Sequence, residues 1–259
     1  MAREININCD MAEGFGAYDI GNDDALLKII ASANVACGFH AGDPSVMHRF
    51  VMRAKEDGVS IGAHPGFADL HGFGRRQIQM KPAEIEYMTA YQIGALQAIA
   101  SYAGLEVTHI KGHGAMANMA MVDEGYAMAM ARAAKTVDPS LIFMAHYGSQ
   151  LQRAAEKVGL RMALEGYADR QYDDDGMLAS RAIAGTVIRD VQRAAAQALR
   201  MVKDGEIESR HGKVLKVQID SVCVHGDEPT AVAVATAVRK GFEAAGFAIL
   251  PLDRMALAH

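Results

Sequence analysis

The sequence has no excess of positive charge and no tryptophan. Its 26 lysine and arginine residues are outnumbered by 31 aspartate and glutamate residues, which gives a formal net charge of −5 over 259 residues. Nucleic-acid-binding proteins usually carry a basic excess, and anionic membrane surfaces attract basic segments. The charge balance therefore argues against both nucleic acid and a membrane surface as partners.

Cysteine is also scarce. Cys9, Cys37 and Cys223 are odd in number and widely spaced, without a Cys-x-x-Cys pair. A disulfide framework needs an even set of cysteines at regular spacing. We therefore expect free thiols, with Cys9 and Cys37 as small buried residues in strands. Free thiols are typical of the reducing cytosol, so a cytoplasmic location is predicted.

Long hydrophobic runs are missing as well. Runs such as 231–238 are far shorter than the ~20 residues that a membrane-spanning helix needs, and residues 1–5 lack the apolar core of a signal peptide. No linker or low-complexity stretch divides the chain, so we expect one α/β barrel domain over residues 1–259. Hydrophobic residues make up 51% of the sequence, which is enough for a folded core.

Three common catalytic motifs are absent. No Gly-x-Gly-x-x-Gly pattern follows a predicted strand, and no phosphate-loop motif is present. Both absences argue against an open, doubly wound nucleotide-binding sheet. The absence of Gly-x-Ser-x-Gly argues against serine hydrolase chemistry.

What the sequence does contain is a regular alternation of short apolar runs and longer amphipathic runs. This alternation predicts strands that each lead into a helix, and seven or eight such units favour a closed or nearly closed α/β barrel. A methionine-rich helix over 116–130 is expected to fill the core. The predicted strands are 4–9, 32–37, 59–63, 107–111, 141–145, 161–164 and 217–224, with an eighth at 248–252. The other predicted helices are 23–31, 45–56, 83–103, 123–136, 149–158, 186–203 and 230–245.

The first predicted strand alternates strictly between apolar and polar residues. Two isoleucines and a cysteine face one side, while Asn6, Asn8 and Asp10 face the other. The outer face of a barrel packs on helices, so the polar set should point into the barrel. Buried amides and carboxylates are costly unless they are hydrogen-bonded or face a wet pocket.

Histidine is the residue type with the most informative positions. Chemistry in α/β barrels takes place at the carboxyl ends of the strands, and glycine-framed histidines at predicted strand ends are interpreted as functional. These are His40, His64, His113 and His225. For His109 and His146, a structural role as a hydrogen-bonded cap of the strand end is as good an explanation as a functional role. A surface position is predicted for His48, His71, His211 and His259.

Charged residues at the same strand ends indicate how an anion could be held. Lys111 shares a strand face with His109 and His113, where an ammonium group can neutralise a phosphate or a carboxylate. Arg75 and Arg76 follow the His64 motif and are interpreted as an anion-binding loop, with a plain basic loop as the alternative. The oxygen ligands that could hold the Mg²⁺ of a nucleotide are Asp10, Asp43 and Asp227.

Several longer motifs run in order along nearly the whole chain. They include Asn8-Cys9-Asp10-Met11-x-Glu13-x-Phe15-Gly16, residues 32–44, Gly62-Ala63-His64-Pro65-Gly66, Gly72-Phe73-Gly74-Arg75-Arg76, Tyr91-Gln92-x-Gly94-Ala95-Leu96, Lys111-x-His113-Gly114-Ala115, Ala168-Asp169-Arg170-x-Tyr172 and Val224-His225-Gly226-Asp227. Together they resemble the LamB/YcsF family, which is the group of 5-oxoprolinase A subunits. The resemblance covers about residues 5 to 253.

The resemblance implies a distorted seven-stranded (β/α) barrel of the glycoside hydrolase/deacetylase superfamily type. It also implies an enzyme that opens the lactam ring of 5-oxo-L-proline to L-glutamate with hydrolysis of ATP, supplied with Mg²⁺. Such an enzyme would work with partner subunits B and C, and the formation of a homo-oligomer is left open. Because an unstrained lactam is a poor electrophile, ATP could activate its amide oxygen by phosphorylation.

This chemistry assigns expected roles to the polar residues at the strand ends. The acid–base candidates are Asp10, His40, His64, His113 and His225. The candidates for binding substrate or phosphate are Asn8, Asp43, Arg75, Arg76, Lys111, Asp169, Arg170 and Asp227. If the protein itself holds a metal, the expected ligands are Asp10, His40 and His64.

The sequence departs from the family's usual pattern near His113. The family commonly has proline where Gly112 stands and tyrosine where Ala117 stands, which bears on the size of the substrate. The superfamily's deacetylases carry a second aspartate before the one matching Asp10, and here that residue is Cys9. This departure argues against a deacetylase-type metal site. A metal-dependent amide or carbohydrate hydrolase is kept as an alternative function, and a non-catalytic subunit that only binds the substrate is a second one.

Overall fold

The computed structural model describes residues 3–257. The outermost residues of the predicted domain, 1–2 and 258–259, lie outside this range, and His259 is among them. The strands are β1 (Arg3–Met11), β2 (Ser32–Ala36), β3 (Ser60–His64), β4 (Val107–Ile110), β5 (Ile142–His146), β6 (Met162–Tyr167), β7 (Glu206–Glu208), β8 (Val214–Lys216), β9 (Ser221–Cys223) and β10 (Phe247–Ile249). The helices are α1 (Asp23–Leu26), α2 (Pro44–Asp57), α3 (Pro82–Ala103), α4 (Gly114–Val122), α5 (Glu124–Val137), α6 (Gln150–Val158), α7 (Val191–Lys203) and α8 (Ala231–Ala244), followed by a 3₁₀ turn at Leu252–Arg254.

Seven strands close into a ring. The order is β1-β2-β3-β4-β5-β6-β9, and β9 pairs again with β1. Every pair in the ring is parallel, so all the carboxyl ends meet at one rim. The predicted seven-stranded parallel barrel is confirmed, and the eighth predicted strand, β10, pairs with Arg3–Ile5 of β1 before the point where β9 joins.

The alternation in β1 divides its side chains as predicted. Ile5, Ile7 and Cys9 belong to the main hydrophobic core. Asn8 points the other way and donates to Glu165 Oε1 at 2.9 Å and to a serine hydroxyl of β9 at 2.8 Å. The buried amide is thus fully engaged, which removes most of the cost of placing it inside the barrel.

Helix boundaries follow local capping signals. Asp43 precedes Pro44 and accepts hydrogen bonds from the backbone N–H groups of Ser45 and Val46, at 2.8 and 3.0 Å. Helix α2 ends at Asp57, and Gly58 caps it with a φ of 69°, which favours glycine. These two caps fix where α2 begins and ends, and therefore also where the chain leaves β2 and enters β3.

The largest differences between prediction and structure concern four elements. The predicted strand 217–224 shrinks to β9, because its apolar side chains at 217 and 219 pack on a separate cluster under the hairpin β7–β8. Helix α7 begins at Val191 instead of 186, because Asp190 caps it and residue 187 pairs with Arg170. The predicted helix 23–31 is only the short α1. The methionine-rich helix is split into α4 and α5 at Asp123, whose carboxylate caps α5.

Within the described residues, no helix combines the length and the apolar character needed to cross a membrane.

Candidate active site

A cavity of about 580 Å³ opens at the rim where the parallel strands end. Seven of the residues singled out in the sequence line it: Asp10, Arg75, Lys111, His113, Arg170, His225 and Asp227. These residues come from five different strand ends and the loops that follow them. The closed ring is what brings them together, since they are up to about two hundred residues apart in sequence.

A buried lysine lies between two carboxylates beside this cavity. Lys111 Nζ is 3.0 Å from Asp10 Oδ1 and 2.9 Å from Glu165 Oε1. Burial by itself would lower the pKa of Lys111, but the negative charge of Asp10 in particular holds that pKa well above its ordinary value. Lys111 is therefore a charged group whose partners lie within the protein.

Asp10 is held as a carboxylate. Its Oδ1 also accepts from Asn34 Nδ2 at 2.9 Å, and its Oδ2 lies 3.4 Å from His64 Nε2. Burial favours the neutral acid, but the positive charges of His64 and Lys111 hold the pKa of Asp10 well below its usual range. Asp10 is therefore an acceptor at the cavity wall and not a proton donor at neutral pH.

A second carboxylate orients a histidine. His225 Nδ1 donates to Asp169 Oδ1 at 2.8 Å, and the backbone N–H of His225 donates to Oδ2 of the same carboxylate at 3.1 Å. The pKa of Asp169 is lowered despite its burial, because the charge of His225 and these hydrogen bonds favour the ionised form. With Nδ1 engaged, Nε2 of His225 is the ring nitrogen left for chemistry, as in other carboxylate–histidine pairs.

A cluster of four buried side chains adjoins this region. Glu13 Oε1 lies 3.1 Å from His40 Nε2 and 3.4 Å from His113 Nδ1, and His64 Nε2 lies 2.9 Å from His113 Nδ1. Burial and the charge of Asp10 raise the pKa of Glu13 to about 8. Burial also lowers the pKa values of His40 and His113 well below the ordinary histidine value.

His64 differs from the other two histidines of this cluster. Burial by itself would lower the pKa of His64, but the charge and hydrogen bond of Asp10 raise it. His64 is thus the imidazole of the cluster that most readily carries a positive charge.

Arginines line the outer part of the cavity. Arg75 pairs with Asp227 at 2.6 Å, while Arg170 donates to the carbonyl oxygen of Ala179 at 2.6 Å. Arg181 lies 3.8 Å from Glu228 and also lines the cavity. The cavity lining thus contains three guanidinium groups beside several carboxylates, and two of the three guanidinium groups are paired with a carboxylate.

Four predicted binding residues are not among those that line the cavity: Asp169, which instead orients His225, and Asn8, Asp43 and Arg76. Asn8 is inside the barrel with its amide engaged by Glu165. The Asp43 carboxylate caps α2 and also accepts from the backbone N–H of Gly16 at 2.7 Å. Arg76 pairs with Asp69, and neither residue is among those that line the cavity.

The sequence interpretation did not place Glu13, Glu165, Tyr167 or Arg181 in the site. Glu13 comes three residues after Asp10, beyond the strand alternation, so no periodic signal marks it. Glu165 directly follows the predicted strand 161–164 and could have been found by the same rule that selected Asp10. Arg181 lies in an irregular segment, and no local pattern identifies it.

His109 and His146 are both buried and hydrogen-bonded. His109 Nε2 lies 3.1 Å from Asn34 Oδ1, and His146 Nε2 donates to the carbonyl oxygen of Gly176 at 2.8 Å. These contacts agree with the interpretation of the two residues as hydrogen-bonded strand caps.

The chain is similar to several known proteins over almost its full length. It is 52% identical over 252 residues to a protein of Rhodopseudomonas palustris that is named as the A subunit of 5-oxoprolinase, covering 97% of this chain and 99% of the relative. A protein of the same name from Gluconobacter oxydans is 51% identical over 251 residues, covering 97% of this chain and 99% of that one.

Solved structures agree with the fold. A lactam utilization protein from Thermus thermophilus is 41% identical and superimposes with a TM-score of 0.91, covering 96% of this chain and 100% of that chain. The catalytic domain of a peptidoglycan N-acetylglucosamine deacetylase from Eubacterium rectale gives a TM-score of 0.53 at 13% identity, covering 100% of this chain and 93% of that one. The second likeness concerns the fold alone. The model of the LamB/YcsF family matches residues 5–257, and the chain belongs to that family.

Proposed function

We propose that this chain is the A subunit of an ATP-dependent 5-oxoprolinase that opens 5-oxo-L-proline to L-glutamate. The names of its relatives support the substrate class, since they are called the A subunit of 5-oxoprolinase and a lactam utilization protein. The single structural observation that carries the proposal is the cavity in which an oriented histidine, an ionised aspartate and several arginines meet.

The proposed reaction has the following stoichiometry. One lactam, one ATP and two waters give one glutamate, one ADP and one phosphate. Transfer of the γ-phosphoryl group to the lactam oxygen makes the ring carbon more electrophilic; a water then adds to that carbon and the ring C–N bond breaks. The second water releases the phosphate, and Mg²⁺ enters with ATP as part of the substrate.

His225 is the proposed general base for the attacking water. Asp169 accepts a hydrogen bond from His225 Nδ1 at 2.8 Å, so in the neutral imidazole the lone pair of the ring is on Nε2. Tyr167 packs against the imidazole with ring centroids 5.6 Å apart and keeps the ring in that plane. A positioned base of this kind typically contributes a factor of about 10²–10⁴ to the rate.

Cationic side chains are the proposed binders of the substrate carboxylate and of the phosphates. Arg75, Arg170 and Arg181 line the cavity, and their fixed geometry suits planar anions and phosphate oxygens. Asp227 is proposed to hold Arg75 in place through their ion pair. Lys111 is proposed to keep Asp10 ionised, since its ammonium group is already paired.

The proposed partners are subunits B and C of the same enzyme, in the cytoplasm. The relatives are named by a subunit letter, which supports an enzyme built from several different chains. On this proposal the chain supplies the ring-opening site and acts only within the complex.

The test is a glutamate assay with purified chain, 5-oxoproline and ATP–Mg²⁺, with and without subunits B and C. The proposal predicts glutamate only from the complete mixture, with one ADP released per glutamate. No glutamate from the complete mixture would refute it, and hydrolysis of an amide without ATP would favour a metal-dependent hydrolase. Full activity in both Asp10→Ala and His113→Ala complexes would leave this chain only a binding role.

A further inference from the structure

Two buried histidines, His64 and His113, lie in contact beside the cavity, and His113 is one of its lining residues. His64 Nδ1 lies 2.8 Å from the carbonyl oxygen of Lys111, and His113 Nε2 lies 2.8 Å from the carbonyl oxygen of Phe73. A carbonyl oxygen only accepts, so each of these nitrogens carries its hydrogen. The remaining nitrogens, His64 Nε2 and His113 Nδ1, are 2.9 Å apart, so when both rings are neutral they present lone pairs to the space between them.

Facing lone pairs need a cation between or beside them. The cation is either a proton shared by the two rings or a metal ion bound by both. The outer contacts resemble those of metal-binding histidines, which usually donate their other N–H group to a carbonyl or a carboxylate and so fix the ring.

Glu13 supplies the third donor. Its Oε1 lies 3.4 Å from His113 Nδ1. Donors about 2.0–2.1 Å from a tetrahedral zinc ion are roughly 3.3 Å from one another. The two separations from His113 Nδ1, 2.9 and 3.4 Å, are close to that spacing. The ligand atoms of Glu13 and His64 lie within 4.8 Å of each other, so one ion can contact all three donors after a modest shift of the Glu13 side chain.

His40 is close but its ring points the wrong way to be a ligand. It stacks on His113 with centroids 3.6 Å apart and an angle of 3° between the planes. In-plane lone pairs of two parallel, offset rings cannot converge on one ion. His40 Nε2 instead lies 3.1 Å from Glu13 Oε1, and this hydrogen bond orients the carboxyl group of Glu13.

We propose that His64 Nε2, His113 Nδ1 and the Glu13 carboxylate bind a divalent transition-metal ion, with Zn²⁺ as the best match. Two imidazoles and one carboxylate are a donor set of catalytic zinc sites, which keep a fourth position open. Glu13 and His113 line the cavity, so the open position faces the substrate space. A metal there would act as a Lewis acid toward a carbonyl or phosphoryl oxygen.

This ligand set differs from the one expected from the sequence. Of the expected metal ligands Asp10, His40 and His64, only His64 remains. Asp10 is committed to Lys111 and Asn34, with its other oxygen 3.4 Å from His64 Nε2. The inference does not rest on the proposed function, because metal binding is measured without any turnover.

The test uses Co²⁺ as a spectroscopic probe on the purified full-length chain. After removal of metal with a chelator, titration with Co²⁺ is expected to produce visible d–d absorption that saturates at about one ion per chain, and Zn²⁺ should displace it. His113→Gln and Glu13→Gln should each weaken Co²⁺ binding by about a hundredfold or more. His40→Gln should weaken it less, by roughly tenfold, because that side chain acts through Glu13.

His146→Gln is the matched control, because His146 is a buried, hydrogen-bonded histidine at another strand end. It should bind Co²⁺ like the wild type, and circular dichroism of the metal-free variants should confirm that each is folded. A wild-type chain without visible absorption at saturating Co²⁺ would mean that the two histidines share a proton, and the proposal would be wrong. Equal affinity in His113→Gln and His146→Gln would also overturn it, whatever the glutamate assay gives.

Discussion

Replacing Lys111 by methionine is the sharpest test of the electrostatics around the cavity. The ammonium group is almost fully buried and lies within 3.0 Å of Asp10 and 2.9 Å of Glu165. Methionine keeps most of the volume of the side chain but removes its charge. Two buried carboxylates then lose their shared counter-ion.

The expected cost follows from that loss. Removing one partner of a buried ion pair typically costs about 3–5 kcal/mol, because an uncompensated charge remains in a poorly solvated place. Asp10 keeps its hydrogen bond from Asn34, and Glu165 keeps one from Asn8. We therefore expect Lys111→Met to lower the free energy of unfolding by about 3–4 kcal/mol, toward the lower end of that range.

The assay is urea unfolding followed by circular dichroism at pH 7. Lys111→Met combined with Glu165→Gln should recover part of the loss, since the double change removes one positive and one negative charge together. Lys216→Met is the control: Lys216 also pairs with a glutamate, at 2.6 Å, but it lies on the surface and its loss should leave stability almost unchanged. A Lys111→Met protein as stable as the wild type would refute the claim that this lysine compensates the buried carboxylates.

Three further changes test the packing, the titration and the chemistry of the site. Gly74→Ala should lower the free energy of unfolding by about 2–4 kcal/mol, because φ is 63° and a Cβ atom would lie 2.9 Å from His113 Cδ2. Gly104→Ala is the control: φ is 65°, but no other atom lies close to the new Cβ, so the cost in the same urea experiment should be only about 1 kcal/mol. Burial raises the pKa of Asp23 to about 7, so the folded chain keeps a proton that the unfolded chain loses near pH 4, and stability falls as the pH rises between those values. Asp23→Asn should remove that dependence. In unfolding curves, the free energy of unfolding of the variant minus that of the wild type should therefore increase by about 1–2 kcal/mol from pH 4 to pH 8. His225→Gln should lower kcat of the reconstituted complex by about 10²–10⁴ with a smaller effect on KM, and an unchanged kcat would exclude this residue as the general base.

The position of Glu13 shows why part of the site escaped sequence reasoning. Ala12, just before it, has a φ of 57°, which is unusual for a residue other than glycine. The Asp23 carboxylate accepts from the backbone N–H of Ala12 at 3.0 Å. A long-range contact thus accompanies the turn that carries Glu13 toward His40 and His113, and no spacing within the local sequence encodes that contact.

Asp43 and Arg76 show the opposite difference between sequence and structure. Both have the residue type expected for binding phosphate or its metal ion, and both lie in motifs that mark strand ends. The Asp43 carboxylate caps the first turn of α2, a role that its position before Pro44 already indicated. Arg76 is engaged by Asp69, a partner seven residues earlier in the chain. Residue type identified candidates, but each candidate's nearest partner decided whether its charge was free.

The sequence by itself determined the strand–helix alternation, the inward polar face of β1 and the presence of Asp10, His113 and His225 at strand ends. These features depend on periodicity and on local hydrogen bonds, which adjacent residues encode. Only the tertiary structure decided that Lys111 neutralises two carboxylates and that Asp169 orients His225. Closing the barrel joins strand ends that are far apart in sequence, and the burial that results sets which of these charges are paired and which pKa values move.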